Sequence, residues 1–192
     1  MTRAAVFLDR DGTLLDELGF LTRPEDVRLL PRAAQGVRAL NEAELPVVVV
    51  TNQSGIARGL LSERELAAVH ARLERELALE GARVDGFLHC PHHPEHGAPP
   101  LRQVCACRKP EPGLLFEAAA RFGLDLSASW IVGDSARDLE AGRRAGVAGR
   151  VLVLTGKGRA TLAELEREER ARTQVADDLV EAAELVLARQ GK

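Results

Sequence analysis

The sequence predicts an α/β fold in which helices cover both faces of a doubly wound, mainly parallel sheet. Short β-rich runs alternate with amphipathic segments, an order typical of parallel sheets. One run, Val47–Val50, has four consecutive β-branched residues, which indicates a strand covered on both faces. The chain has 192 residues with no internal repeat or linker, so we expect one domain over 1–192.

The first half of the chain predicts two further strands and two helices. The apolar run Ala4–Leu8 indicates a buried strand, and Val84–Leu88 indicates another. Pro31 opens a helix that extends to about Glu44. Ser62–Glu65 is a capping box that starts the next helix, and an apolar stripe follows it. His70, beside that stripe, is expected to be an ordinary packed helix residue.

Residues 91–112 interrupt this alternation and contain six of the nine prolines. An irregular segment of this length needs its own reason to be ordered. The elements expected after it are helices at Gly113–Phe122 and Ser135–Ala145, strands at Trp130–Val132 and Val151–Leu154, and a helix from Asp178 to Leu187. Leu162–Arg172 is strongly charged and predicts an exposed helix within a charged C-terminal segment, 157–192.

Composition and charge exclude several function classes. A net charge of −3, few aromatic residues and no Tyr disfavour nucleic acid as a partner and give no general attraction to acidic membranes. No apolar run approaches the ~18 residues of a membrane span, and Asp9 follows too soon for a secretory signal peptide. An odd number of clustered cysteines favours the reduced cytoplasm over a disulfide framework. We therefore expect a cytoplasmic protein with a small-molecule partner. Because no long exposed apolar stripe stands out in the sequence, we also expect a monomer.

Polar side chains follow three of the predicted strands at their carboxyl ends, and a basic pair lies on the irregular loop. These residues are Asp9 and Asp11, Thr51 and Asn52, Asp134, and the loop residues Arg108 and Lys109. Ligands of parallel sheets bind beyond the carboxyl ends of the strands. Because these ends meet at one edge of the sheet, we expect a single site.

The residue types at this edge indicate phosphoryl chemistry. Three carboxylates, Asp9, Asp11 and Asp134, would repel one another without a cation, and hard oxygen ligands suit Mg²⁺. The Thr51 hydroxyl and the Lys109 ammonium add donors for a phosphoryl group. Asp9 is then placed as a carboxylate nucleophile. Asp11 would act as general acid and base, a role worth ~10²–10⁴-fold.

Two alternatives exist for the turn that follows the first strand. An ordinary acidic turn has the same Asp-x-Asp-Gly pattern. A calcium loop starting at Asp9 would need a glutamate at its twelfth position, where this chain has Phe20, and it would follow a helix rather than a buried strand. The calcium loop is therefore disfavoured.

Four motifs, in order, resemble those of the haloacid dehalogenase superfamily. They are Asp9-x-Asp11-Gly-Thr, Thr51-Asn52-Gln53, Lys109-Pro110 and Gly133-Asp134-x-x-x-Asp138, and the resemblance covers residues 5–155. It implies an aspartyl-phosphate on Asp9 and Mg²⁺ held by the Asp9 carboxylate, the Asp11 backbone carbonyl and Asp134. It also implies that Thr51 binds the phosphoryl oxygens and that Lys109 stabilises the transferring group. Asp138 is either a residue around the site or a helix N-terminal carboxylate.

The irregular loop carries a candidate zinc site within about 89–108. Cys90, His92, Cys105 and Cys107 are enough to close a tetrahedral zinc site, and four protein ligands make such a site structural. Three unrelated reduced cysteines are the alternative. His92 is favoured over its neighbours because its two-residue step from Cys90 matches that between the other cysteines. Cys107 directly precedes Arg108 and Lys109, so this metal would fix their position.

The loop narrows the resemblance to the family of D-glycero-D-manno-heptose 1,7-bisphosphate 7-phosphatases, which lack a large cap domain. The segments that support this resemblance are Cys90-x-His92, Cys105-x-Cys107-Arg-Lys-Pro and Thr51–Gly59. This resemblance implies removal of the C7 phosphate in nucleotide-heptose synthesis for the lipopolysaccharide core, with Arg108 on the remaining phosphate or sugar. The residues it assigns to substrate binding are Glu17, Leu18, Gly19, Phe20, Thr51, Asn52, Gln53, Ser54, Arg108 and Lys109. Arg58, on a Gly-flanked loop, has two interpretations: a further contact at the site or, favoured for this residue alone, a solvated surface arginine.

The chain departs from this pattern at Leu18 and Ser135, and its segment 157–173 looks longer. Three other functions share parts of the site. Histidinol-phosphate phosphatases have the same zinc plan, with a shorter spacing between the histidine and the second cysteine pair. A phospho-acceptor signalling domain lacks the acid–base role of Asp11. A polynucleotide 3′-phosphatase shares the Thr-Asn-Gln motif, but the net charge disfavours it.

Overall fold

The computed structural model describes residues 2–17 and 19–190. Within them, six strands form one parallel sheet in the order β3-β2-β1-β4-β5-β6. The strands are β1 (Val6–Leu8), β2 (Val47–Asn52), β3 (Gly86–Cys90), β4 (Trp130–Gly133), β5 (Gly149–Val153) and β6 (Gln174–Ala176). The helices are α1 (Ala33–Glu42), α2 (Glu63–Leu79), α3 (Gly113–Phe122), α4 (Ala136–Ala145), α5 (Gly158–Glu164), α6 (Arg167–Arg172) and α7 (Leu179–Gln190). Pro24–Asp26 and Leu126–Ala128 form short 3₁₀ helices.

Helices cover both faces of the sheet, as the sequence predicts. Successive side chains of a strand point to opposite faces. Val6 and Leu8 of β1 therefore belong to one buried apolar cluster, shared with α1, α2 and α7. Phe7 belongs to the other, shared with α3 and α4. The doubly wound α/β prediction is confirmed.

β1 lies in the middle of this sheet, and its position determines which loops border the site. β1 pairs with β2 on one side and with β4 on the other. The chain reverses its direction of winding here, so the loops after these three strands open outward and leave a crevice between them. None of the helices in the described ranges has the length and apolarity required to cross a lipid bilayer.

Two predicted helix starts are confirmed at the level of individual hydrogen bonds. Ser62 accepts from the Glu65 backbone N–H while the Glu65 carboxylate accepts from the Ser62 N–H, which completes the capping box of α2. Asp178 accepts from the N–H groups of Val180 and Glu181 at the start of α7. Both caps satisfy backbone donors that have no partner inside the helix.

The predicted Val84–Leu88 strand begins two residues too early. β3 starts at Gly86 because Asp85, the residue before it, uses its side chain to bind the neighbouring strand. The Asp85 carboxylate accepts from the Val47 N–H at 2.8 Å, and the Asp85 N–H donates to the Val47 carbonyl. The pairing then runs on to Cys90, opposite Asn52. The cysteine thus becomes the last residue of the strand.

The predicted single helix over Leu162–Arg172 is wrong. The structure has α5 and α6 instead, separated by extended backbone at Leu165 and Glu166. Glu169 of α6 forms an ion pair with Arg150 of β5, which directs α6 against the sheet. The sequence pattern does not predict β6, because a strand of three residues is too short to show a periodic pattern.

Candidate active site

Lys109 lies at the centre of the predicted site and is almost completely buried, with 2% of its side chain exposed. Its Nζ donates to Asp9 Oδ1 at 2.8 Å, to the Val50 carbonyl at 2.7 Å and to Asp138 Oδ1 at 2.6 Å. Burial by itself lowers the pKa of Lys109, but Asp138 and Asp9 outweigh burial, so this pKa lies above its usual value. The ammonium is therefore charged and holds two carboxylates together.

Asn52 positions the backbone of Lys109. Its side-chain amide donates to the Lys109 carbonyl, and its Oδ1 accepts from the Lys109 N–H, both at 3.0 Å. This paired contact links the end of β2 to the irregular loop. Asn52, predicted as a substrate-binding residue, thus has both polar groups of its side chain engaged in positioning the lysine.

Asp9, Asp134 and Asp138 form a carboxylate cluster in which one oxygen from each residue lies within 4.8 Å of the other two. Burial raises the pKa of Asp9 to about 7, although Lys109 opposes the shift. Burial likewise raises the pKa of Asp134 to about 6. Asp138 Oδ2 accepts from the Ser135 N–H and hydroxyl at the start of α4. Both interpretations of Asp138 therefore hold, because it caps the helix and also binds Lys109.

The loop after β5 encloses Asp134. The Lys157 N–H donates to Asp134 Oδ2 at 2.8 Å, and the Thr155 hydroxyl donates to the Gly12 carbonyl at 2.7 Å. A Cβ atom at Gly12 would lie 2.0 Å from Asp134 Oδ2, and one at Gly156 would lie 2.2 Å from it. Both glycines have positive φ angles as well. Only glycine at these two positions lets the backbone approach the carboxylate so closely.

The donor set of this cluster fits a hard divalent cation. Two of its carboxylates, Asp9 and Asp134, have raised pKa values because burial disfavours their charge. A cation between them would relieve that cost, and oxygen ligands are those that Mg²⁺ prefers. The oxygen atoms of Asp138, by contrast, already accept from Lys109 and Ser135. The residues present therefore fit magnesium, with Asp9 and Asp134 as side-chain ligands.

The Asp11 side chain lies outside this cluster. Arg10 holds its carboxylate through two hydrogen bonds, Nε to Oδ1 at 3.1 Å and Nη2 to Oδ2 at 2.9 Å. Gln53 donates from Nε2 to Asp11 Oδ2 at 2.9 Å and to the Thr51 hydroxyl at 2.8 Å. The predicted Mg²⁺ contact of Asp11 uses its backbone carbonyl, so this arrangement leaves that prediction untested.

A cavity of about 360 Å³ opens above the cluster. Its lining includes every residue predicted to bind substrate except Leu18, which lies outside the described residues. These predicted substrate-binding residues are Glu17, Gly19, Phe20, Thr51, Asn52, Gln53, Ser54, Arg108 and Lys109. The predicted catalytic residues Asp9 and Asp11 line the cavity as well. Residues predicted from separate stretches of the chain thus line a single cavity.

The lining also contains four residues that the sequence does not predict as part of the site, namely His93, Ser135, Arg137 and Lys157. It further contains Arg58, for which the sequence favours a solvated surface position. Arg58 lies over the Phe20 ring, 5.5 Å from its centroid. Lys157 forms an ion pair with Glu17 at 3.1 Å. A signal for Lys157 existed, because it follows the carboxyl end of β5, the same edge that carries Asp9 and Asp134.

The four predicted zinc ligands form a second cluster. Cys90, His92, Cys105 and Cys107 bring three Sγ atoms and one imidazole nitrogen within 4.8 Å of one another. The shortest distance, 3.0 Å, joins Cys107 Sγ to Cys90 Sγ. Hydrogen bonding from Cys90 lowers the pKa of Cys107 to about 5, a shift towards the thiolate form that binds metals. Four soft donors converging on one point fit zinc.

The neighbouring histidines point elsewhere. His93 Nδ1 accepts from the backbone N–H groups of Glu95 and His96, both at 3.1 Å. His89 Nε2 lies 2.8 Å from a carboxylate oxygen of Glu63. His92, which the two-residue step favours, is the histidine that lies in the cluster with the three cysteines. Its own carbonyl accepts from Arg108 Nη1 at 3.1 Å. That bond ties the cysteine cluster to the cavity wall.

Comparison with known proteins agrees with this geometry. A family model described as HAD-hydrolase-like matches residues 106–182. A D-glycero-beta-D-manno-heptose-1,7-bisphosphate 7-phosphatase from Bordetella bronchiseptica is 43% identical over 183 residues, 95% of this chain and 97% of the relative. The chain belongs to this phosphatase family. The Escherichia coli K12 member of the family is 40% identical over 153 residues, 80% of each chain.

A solved structure of a family member has the same fold. The crystal structure of D,D-heptose 1,7-bisphosphate phosphatase from B. bronchiseptica, complexed with magnesium and phosphate, superposes with a TM-score of 0.85. It is 40% identical in sequence, and the match covers 97% of this chain and 99% of that one. The superfamily and family resemblances drawn from the four motifs and the cysteine loop are both confirmed.

Proposed function

We propose that this member of the family hydrolyses the C7 phosphate of D-glycero-beta-D-manno-heptose 1,7-bisphosphate. The observation that carries the proposal is the contact between Lys109 and Asp9 at the floor of a polar cavity, in a chain 43% identical to a named 7-phosphatase. A buried carboxylate beside a fixed ammonium is suited to attack a phosphorus atom, because the ammonium neutralises charge on the transferring oxygens.

Asp9 is the proposed nucleophile. One of its carboxylate oxygens forms a bond to the C7 phosphorus, and the bond between phosphorus and the sugar oxygen breaks. Asp11, carrying a proton, donates it to that departing oxygen, so the sugar leaves as an alcohol. Lys109 stabilises the transferring group, and the Thr51 hydroxyl, which accepts from Gln53, is free to turn its proton towards a phosphoryl oxygen.

The second half of the reaction regenerates the enzyme. Asp11, now a carboxylate, takes a proton from water, and the resulting hydroxide attacks phosphorus. The bond between phosphorus and Asp9 breaks, which releases inorganic phosphate and the free carboxylate. One residue thus serves as acid and then as base. This separates the proposal from a phospho-acceptor domain, which keeps its phosphoryl group.

The two proposed metals have different roles. Mg²⁺, bound by the Asp9 and Asp134 carboxylates and the Asp11 carbonyl, would neutralise charge on the phosphoryl group. Zn²⁺, bound by Cys90, His92, Cys105 and Cys107, would be structural because its four ligands leave no open position. The contact from Arg108 to the His92 carbonyl supports the idea that zinc fixes the cavity wall.

Substrate binding is proposed for the predicted lining residues, Glu17 to Phe20 with Leu18 included, Thr51 to Ser54, Arg108 and Lys109. Arg108 is half-buried, and burial lowers its pKa, so its charge gains from a nearby anion. The C1 phosphate or a sugar hydroxyl would supply that partner. A single domain over 1–192, a cytoplasmic location, a monomeric state and a place in lipopolysaccharide core synthesis stay predictions.

Parallel turnover assays test the substrate. Phosphate release with Mg²⁺ is measured on both anomers of the heptose bisphosphate and on histidinol phosphate, with Asp9→Asn as the blank. We expect kcat/KM for the β anomer to exceed that for histidinol phosphate by at least about tenfold, with phosphorus NMR showing that the C1 phosphate remains. Preference for histidinol phosphate would overturn the substrate, and no release from any ester would overturn the phosphatase.

A further inference from the structure

A buried arginine that the proposed reaction does not use lies directly beside Asp11. Arg10 is 1% exposed, yet it carries a full charge. Two of its nitrogens, Nε and Nη2, bind the two Asp11 carboxylate oxygens side by side. A third, Nη1, lies 3.3 Å from Nε2 of His70. The guanidinium is thus held between the carboxylate and an imidazole.

His70, the partner of Arg10, is buried and held in place by packing. It is 8% exposed on α2, and its ring stacks on Phe87 of β3, with centroids 4.4 Å apart and planes 15° from parallel. Burial and the Arg10 charge lower the pKa of His70 to about 3, so the imidazole is neutral. Arginine has no acceptor, so Nε2 must accept the hydrogen bond and the ring proton lies on Nδ1.

We propose that Arg10 and His70 are positioning residues that orient the Asp11 carboxyl group, the proposed proton donor, for proton transfer to the leaving group. The inference rests on the proposed function. A bidentate guanidinium contact fixes the plane of a carboxylate, whereas a single hydrogen bond leaves it free to rotate. His70 holds the guanidinium from behind, and Phe87 fixes the imidazole ring. Proton transfer requires such geometry, since donor and acceptor must meet at hydrogen-bond distance.

A purely structural role for this pair is the competing explanation. Loss of His70 would leave a buried N–H of Arg10 without its acceptor, which destabilises a fold regardless of catalysis. The two roles differ in how they depend on the leaving group. An alkyl alcohol needs a proton as it departs, whereas p-nitrophenolate leaves without one. Misorientation of Asp11 therefore slows cleavage of an alkyl phosphate selectively, and general damage slows both esters equally.

The test compares kcat/KM for the heptose bisphosphate with kcat/KM for p-nitrophenyl phosphate. This parameter covers only the steps up to ester cleavage, so the later use of Asp11 as a base does not enter. The variants are His70→Leu, which removes the acceptor, and His70→Gln, whose amide oxygen replaces it. Asp11→Asn gives the full size of the leaving-group effect. His89→Leu is the matched control, because His89 also lies against the His70 ring but faces Glu63 rather than Arg10.

We expect His70→Leu to lower kcat/KM for the heptose ester by about tenfold or more, and for the aryl ester by less than about threefold. His70→Gln should restore most of the loss, and His89→Leu should leave the ratio of the two values unchanged. If His70→Leu does not fold, Arg10→Lys makes the same test, because a lysine binds one carboxylate oxygen rather than two. Its ratio should fall as well.

Equal losses on both esters, in His70→Leu or in Arg10→Lys, would overturn the inference and leave a structural role. The inference would also be overturned if His70→Gln lost as much kcat/KM as His70→Leu on the heptose ester while kcat/KM for the aryl ester stayed normal in both variants. Failure of the proposed function is a different outcome, because the wild-type chain would then release no phosphate from the heptose bisphosphate.

Discussion

Lys109 donates to Asp138 Oδ1 at 2.6 Å, the shortest of its three hydrogen bonds. Asp138 is 1% exposed and is itself held by Ser135 at the start of α4. The lysine on the irregular loop is thereby anchored to the helix that follows β4, and it reaches Asp9 from a fixed position. Asp9, the proposed nucleophile, thus contacts a lysine that is held in place by a residue of another element.

Replacement of Lys109 by methionine should abolish most activity. Lys109→Met removes the donor to the transferring group, a loss worth ~10²–10³-fold in kcat for comparable donors. It also leaves two buried carboxylates unpaired, so the unfolding free energy should fall by about 3–5 kcal/mol. Steady-state assays and urea denaturation measure both. Lys157→Met, which removes an exposed lysine from the same cavity, should cost less than about tenfold; equal losses would contradict the role of Lys109.

Asp9→Asn should abolish turnover without destabilising the metal-free protein. The folded-state pKa of about 7 lies above the ordinary value of 3.8, so ionisation of Asp9 works against folding between those pH values and beyond. An amide removes that cost. We expect an unchanged or higher Tm at about pH 8 in a chelating buffer. Asp138→Asn is the contrast, because it weakens both the Lys109 contact and the α4 cap, and its Tm should fall.

Asp11→Asn should slow both halves of the reaction. Without a proton donor the alkyl group leaves slowly, and without a base the phosphoenzyme persists. Rapid-quench measurements with the heptose bisphosphate should show loss of the burst and a steady-state rate lower by ~10²–10⁴-fold. A burst of normal size followed by slow turnover would restrict Asp11 to the second step.

Cys107→Ser should lower zinc content and activity together. The wild-type chain should contain about one zinc when purified without chelator, because its four ligands match a structural site. Weaker metal binding would displace Arg108 and Lys109, which follow Cys107 directly. Val104→Ala, in an exposed residue of the same loop, should change neither quantity. Activity retained by a zinc-free Cys107→Ser variant would contradict the link between zinc and the cavity.

The parts of the site that the sequence predicts are those carried by contiguous motifs at strand ends. Asp9, Thr51 and Asp134 each follow a run of buried β-branched or apolar residues, so the sheet alone brings them to one edge. The cysteine loop was predictable for a similar reason, because ligand types and two-residue steps are local properties. Lys109 was predictable from its Lys-Pro motif, although nothing in the local sequence shows that its ammonium binds the Asp138 carboxylate.

Contacts between distant elements could not be predicted in this way. His70 lies beside an apolar helical stripe, and the pattern around it indicates packing rather than a bond to Arg10 from a different element. The break between α5 and α6 has the same origin, since charge periodicity does not reveal that Glu169 pairs with Arg150. In both cases the partner becomes visible only when the sheet has brought the two elements together.

The neutral state of His70 predicts a specific acid sensitivity of the fold. Its folded-state pKa of about 3 lies below the ordinary 6.5, so between these values the unfolded chain binds a proton that the folded chain does not. Stability therefore falls as the pH decreases below 6.5, by up to about 1.4 kcal/mol per pH unit from this group.

His70→Gln and His70→Leu both lack this contribution. Urea denaturation from about pH 7.5 to about pH 5 should show the stability advantage of the wild type over each variant shrinking as the pH falls. The two variants will differ in absolute stability, because only glutamine keeps an acceptor for Arg10, but their pH slopes should agree. Parallel curves for wild type and variants would mean that His70 takes up its proton in the folded chain, which would contradict its role as a neutral acceptor for Arg10.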